Sequence, residues 1–134
     1  MTNELEDPTT GRLVGVNGWA AEHRPAAATQ ATIGKAAEAG FRNVCRSITV
    51  TLACGATPQT PITAVLRDGA TGVGAVLWSA VLAAPANSAC VVALSDLDVV
   101  GSINTVMTLE FTGAGVANSL EAVAMSGTVA RKGN

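Results

Sequence analysis

The 134 residues fit one domain, large enough to bury about 70% of the surface its unfolded chain would expose and so to hold a core without disulfides or metals. Charged residues are only 13% of the chain, against about 25% in ordinary soluble domains, and the net charge is −2, which gives no electrostatic footing for nucleic acid. A surface so poor in charge points to one that is covered in part by a partner or by copies of itself.

The only aromatics are Trp19, Phe41, Trp78 and Phe111. Small and β-branched residues make up most of the rest and suit thin, tightly packed sheets better than aromatic-lined ligand sites. No run reaches the roughly 20 apolar residues of a membrane span. The opening Met1-Thr2-Asn3-Glu4-Leu5-Glu6-Asp7 is acidic where a secretory signal would be basic and then apolar, so synthesis in the cytoplasm is expected.

Residues 1–27 read as an extended N-terminal arm, broken by Pro8, Gly11, Gly15, Gly18 and Pro25. Within it, Leu13-Val14-Gly15-Val16 is a short apolar patch. Trp19 should anchor the arm, either on its own domain or on a neighbour. Leu13, Val14, Val16 and Trp19 are therefore the candidate partner-binding residues.

The remainder, 28–134, reads as one β-domain. Thr29–Lys35 alternates loosely and is assigned a strand; a short helix over Ala26–Ala39 is the rival, weakened by Thr29, Thr32, Ile33 and the Gly40 stop. In Val44–Cys54 the even positions Val44, Ile48, Val50, Leu52 and Cys54 are apolar, while Ser47, Thr49 and Thr51 carry hydroxyls. That is the period of a half-buried antiparallel strand, with Arg46 breaking its phase. On one regular strand Cys45 and Cys54 would face opposite sides and lie about 30 Å apart, too far for a disulfide. All three cysteines, Cys90 included, read as small buried hydrophobes.

Gly55–Pro61 is a loop. Ile62–Arg67 and Val73–Leu82 form a hairpin around Asp68-Gly69, with Gly69, Gly72 and Gly74 supplying positive φ angles. Trp78 should share a face with Val76 and Ala80, as a core plug or as an interface anchor. Ala89–Leu94 is a strand, Ser95–Asn104 a connection, Thr105–Phe111 a strand and Leu120–Val129 the last one. The expected fold is all-β: a single β-sandwich or jelly roll of seven to eight antiparallel strands with an N-terminal arm.

No catalytic constellation is visible. His23, the only histidine, lies beside Arg24 and Pro25 with no GxSxG or HExxH around it. Asp96 and Asp98, with Asp68 elsewhere, lack the ligand pattern of a calcium loop. Catalytic, cofactor and metal sites are each expected to be absent, and the chain is expected not to be an enzyme.

Four segments carry a resemblance: Phe41-Arg42-Asn43-Val44, Leu66-Arg67-Asp68-Gly69, Leu77-Trp78, and Gly101-Ser102-Ile103-Asn104-Thr105 followed by Met107-Thr108-Leu109. Together, over residues 29–128, they resemble small virion proteins of tailed bacteriophages, in which a "GxRN" strand leads to an "RDG…W" hairpin and an "N-T" segment. The resemblance implies a jelly-roll capsid decoration or cement protein on the outer face of the shell. Its partners would be the major capsid protein and copies of itself, as a homotrimer or homodimer, with no nucleic acid and no membrane. A receptor- or glycan-binding module of a tail or fibre is the alternative that the same resemblance allows.

Overall fold

A computed structural model describes residues 18–131. Their strands are β1 (Trp19–His23), β2 (Thr32–Lys35), β3 (Phe41–Ala53), β4 (Gln59–Asp68), β5 (Ala75–Ala84), β6 (Ala89–Leu94), β7 (Val99–Ile103), β8 (Met107–Phe111) and β9 (Leu120–Arg131). Every pairing is antiparallel. Sheet one runs β1-β9-β3-β6, with β7 paired to β3 next to β6; sheet two runs β2-β8-β4-β5. The fold is the expected all-β sandwich, with nine described strands. The hairpin is β4–β5, and the connections β1–β2, β2–β3, β3–β4, β5–β6, β7–β8 and β8–β9 cross from one sheet to the other.

The core lies between the sheets. Sheet one contributes Ile48, Val50 and Leu52 of β3 with Val123 and Met125 of β9; sheet two contributes Ala64, Leu66, Leu82, Met107, Leu109 and Phe111. The alternation of β3 predicts its half of this core correctly from Ile48 onward. Upstream, Arg46 is an extra residue: Cys45 pairs with Gly127 and Ser47 with Ser126. This β-bulge moves the inward phase from odd to even positions. Cys45 and Cys54 therefore both join the core, correcting the expectation that they face opposite sides. All three cysteines are free thiols, and burial pushes Cys45 up to about 11.

Two strands lie where none was expected. Trp19–His23 pairs with β9, so 1–27 is not irregular throughout: β1 is the edge strand of sheet one. Gly101 at the centre of β7 hides that strand, because a glycine flanked by Asp98 and Asn104 reads as a turn. Its backbone is needed there, since a side chain would press on the Met107 methyl and the Asp68 carboxylate.

The segments that carry the sequence resemblance meet at one end of the sandwich. Asn43 Nδ2 donates to the carbonyls of Lys35, Ala36 and Thr105. Asn104, at φ 55°, accepts from Gly40 N–H through its side chain. Asp68 accepts from the backbone N–H and hydroxyl of Ser102, and Arg42 donates to Gly101 O. These residues satisfy buried or turn backbone groups that would otherwise lack partners, so the motifs are structural clasps.

The 69–74 turn folds back over the outer face of sheet two. Gly69 sits at φ 139°, and its backbone touches that of Gly74; a Cβ on Gly74 would come within 2.6 Å of Gly69 Cα. Gly72 is also at positive φ, whereas Gly74 is there for the close approach. The turn covers Thr108 and Glu110, which explains why all five residues of β8 are buried.

Candidate interaction surface

The outer face of sheet one is built from lateral rows fixed by register. Ala20, Ser126 and Ser47 form one row; Glu22, Ala124, Thr49 and Ala93 the next; Ala122, Thr51 and Val91 a third; Leu120, Ala53 and Ala89 the last. Glu22 is the one charged side chain among them, and Arg24 lies 3.5 Å from it. A shallow depression of about 460 Å³ lies over Ala20, Glu22, Ser47, Thr49, Ala124 and Ser126. The Ser47 and Ser126 hydroxyls bond each other across the strands. The result is a flat face of methyl and hydroxyl groups with little side-chain entropy to lose on contact, suited to lying against another smooth protein surface.

Trp19 borders this face. It pairs with Gly127 and donates its indole N–H to Thr128 O at 2.8 Å. A Cβ at Gly127 would sit 2.8 Å from the indole ring and clash with the Val44 carbonyl. The tryptophan thus anchors the segment on its own domain, packing against the core while the bulge opposite Gly127 brings the strands close. Gly127→Ala is expected to lose about 2 to 3 kcal/mol in urea unfolding, because the added carbon meets backbone on one side and a ring on the other. An unchanged midpoint would refute this account of the strand contact. Leu13, Val14 and Val16 lie outside the described residues.

The other singled-out residues have structural partners. His23 Nδ1 accepts from Thr32 N–H at 3.1 Å, tying β1 to β2. Asp98 pairs with Arg46 at 3.0 Å, and Asp96 occupies a turn at φ 57°. Among the described residues, no three His, Cys, Asp or Glu side chains cluster as metal ligands would. Trp78 is half-buried and packs on the core, but a bulge at Leu77 takes Val76 off its face, leaving Val76 53% exposed.

Sequence reasoning missed two buried carboxylates. Glu110, 1% exposed, meets Arg67 Nε at 2.6 Å and also accepts from Gly72 N–H, Thr71 and Thr32. Burial alone would raise its pKa, but these donors outweigh burial and hold it below the usual carboxylate range. Glu121, 2% exposed, accepts one bond, from Ala31 N–H at 2.9 Å, and its other oxygen has no partner. Burial pushes this carboxyl up to about 7. Strand alternation could have flagged Glu121, which falls in phase with Val123 and Met125. Nothing local flags Glu110, because the loop that covers it is distant in sequence.

No protein-family model matches the chain, and no curated protein matches it. Among solved structures, several are remotely similar. A structure described as "CBM4 structure and function" is 15% identical, covering 84% of this chain and 71% of that chain with a TM-score of 0.39. The coat protein of Tobacco streak virus is 6% identical over 90% of this chain and 91% of that one, with a TM-score of 0.36. A structure of infectious bursal disease virus Gx strain is 13% identical with a TM-score of 0.40; the match covers 96% of this chain but only 36% of that one. At these scores the likenesses carry no argument about this chain.

Proposed function

We propose that the protein is a structural component of a virion, a capsid decoration or cement protein of a tailed phage. On this reading it lies on the outer capsid surface, touches the major capsid protein and copies of itself, and stabilises contacts between capsomers without catalysis. The observation that carries the reading is the outer face of sheet one: four rows built mostly of Ala, Ser and Thr, whose charges are the Glu22–Arg24 pair on its β1 side, a surface made for broad, flat contact. Many modest contacts of this kind gain strength from the repetition of sites on a shell.

The chain enters the described domain at the edge of that face, where Trp19 fixes β1. The apolar Leu13, Val14 and Val16 just before it would complete the clamp onto the shell or an adjacent subunit. Deleting residues 1–17 is expected to abolish binding to particles while the circular dichroism of the domain stays unchanged; full binding by the truncated protein would remove the clamp from the proposal. Immunogold electron microscopy of particles carrying the protein tests its place, and regular label over the heads is the expected result. The hydroxyl-lined depression over Ser47, Thr49 and Ser126 favours a second reading, a glycan-binding module of a tail or fibre. Label confined to the tail tip would select that reading, and unlabelled particles would reject both.

A further inference from the structure

The two long edges of the sandwich differ in charge. At one edge, β1 and β2 and their flanks carry Glu22, Arg24, Lys35 and Glu38. Charged side chains of this kind are how sheet edges avoid pairing with other strands. At the other edge lie β5 of sheet two and, in sheet one, β6 and β7, and none of these three strands contains a charged residue. Among the described residues, five of the six large apolar side chains that stand exposed are there or on the turn leading in: Val73 83%, Val76 53%, Val81 65%, Val91 58% and Val100 46%. β5 is ten residues long and ends the order of its sheet, so one row of its backbone N–H and C=O groups has no strand beside it among the described residues.

We propose that this edge is an interface with a second copy of the chain, in which β5 pairs antiparallel with β5 of the copy and the two four-stranded sheets become one of eight strands. The pairing brings no like charges together, because every position of β5 is uncharged. Centred on Ala80, it sets Ser79 against Val81, Trp78 against Leu82 and Leu77 against Ala83.

The two-layered edge argues for a sandwich as the partner rather than a single donated strand. Both layers end there in strands without charge, and a lone strand on β5 would leave β6 and β7 of sheet one uncovered. The size also fits. Ten residues span about 33 Å, and two sheets about 10 Å apart with their side chains are roughly 20 Å thick. The edge therefore offers about 650 Å² per partner, or about 1,300 Å² in all, inside the range of stable interfaces. The interface does not depend on a virion location.

Sedimentation velocity of the full chain at about 100 μM, well above a micromolar Kd, is expected to show a species of twice the 13.4 kDa monomer mass. Val81→Lys and Ser79→Lys, both at exposed positions of β5, are each expected to weaken dimerisation at least tenfold with unchanged circular dichroism. Glu38→Lys, on the opposite edge and outside the outer face of sheet one, should leave the dimer intact. A wild-type monomer at that concentration would overturn the proposal and give the edge to a different chain. A dimer that survives both β5 substitutions would overturn it by placing the interface elsewhere.

Discussion

Glu121→Gln is expected to stabilise the protein by about 3 kcal/mol at pH 8 and to change little at pH 5. The carboxyl of Glu121 is raised from 4.5 to about 7 by burial, against a single N–H bond from Ala31. A carboxyl with a raised folded pKa stays protonated in the fold over a range where the unfolded chain has lost its proton. Folding therefore takes up a proton between about pH 4.5 and 7, and stability falls as pH rises through that window. Every tenfold difference in proton affinity between the folded and unfolded chain is worth about 1.4 kcal/mol, which gives the magnitude. Glutamine keeps the size of the side chain and the acceptor for Ala31 and removes the charge. Urea unfolding at both pH values checks the prediction; equal pH dependence in wild type and variant would show that Glu121 does not titrate in the fold.

Glu121 also shows how far the sequence was legible. Strands with a wet and a dry face announce themselves, as β3 does from Ile48 to Leu52 and β9 through Val123 and Met125, whereas β6, apolar throughout, shows only as a short run between turns. Asp68-Gly69 marks the hairpin, and among the described strands that turn alone joins hydrogen-bonded neighbours of one sheet. What stayed hidden depends on partners far along the chain. The Arg46 bulge exists opposite Gly127, and β1 is a strand because Trp19 finds that same glycine 108 positions later. The sequence resemblance rests on residues that proved to be clasps between turns, such as Asn43, Asp68 and Asn104, or core packing, such as Leu77 and Trp78. It therefore speaks for the scaffold, whereas the flat outer face, made of Ala, Ser and Thr, has no motif to read.

The second large effect concerns Glu110. Arg67→Ala is expected to cost about 3 to 5 kcal/mol, the range for removing one partner of a buried ion pair. Arg67 is only 15% exposed on its side chain, and it also donates to Gly74 O at 3.0 Å, bracing the turn that covers the carboxylate. Many buried ion pairs can be exchanged for apolar residues at little cost. This one differs, because Glu110 is also the acceptor for Gly72 N–H and for the hydroxyls of Thr71 and Thr32. Arg67→Met with Glu110→Leu would leave the Gly72 N–H without its acceptor and the Thr71 and Thr32 hydroxyls with only each other, so the double variant should remain at least about 1 kcal/mol below wild type. The pH signature has the opposite sign from that of Glu121. The Glu110 pKa is lowered in the fold, so its contribution is present above the unfolded value of 4.5 and is lost as pH falls below it. Glu110 thus weakens the protein on the acid side and Glu121 on the neutral side, which places the stability maximum near pH 4.5 to 5. Chemical denaturation from pH 3 to 8 should trace that maximum in the wild type. Arg67→Ala should shrink the acid limb, because the Arg67 bond is one of the four that lower the Glu110 pKa, and Glu121→Gln should flatten the neutral limb. A wild-type profile without either limb would mean that the two carboxylates do not govern the pH response.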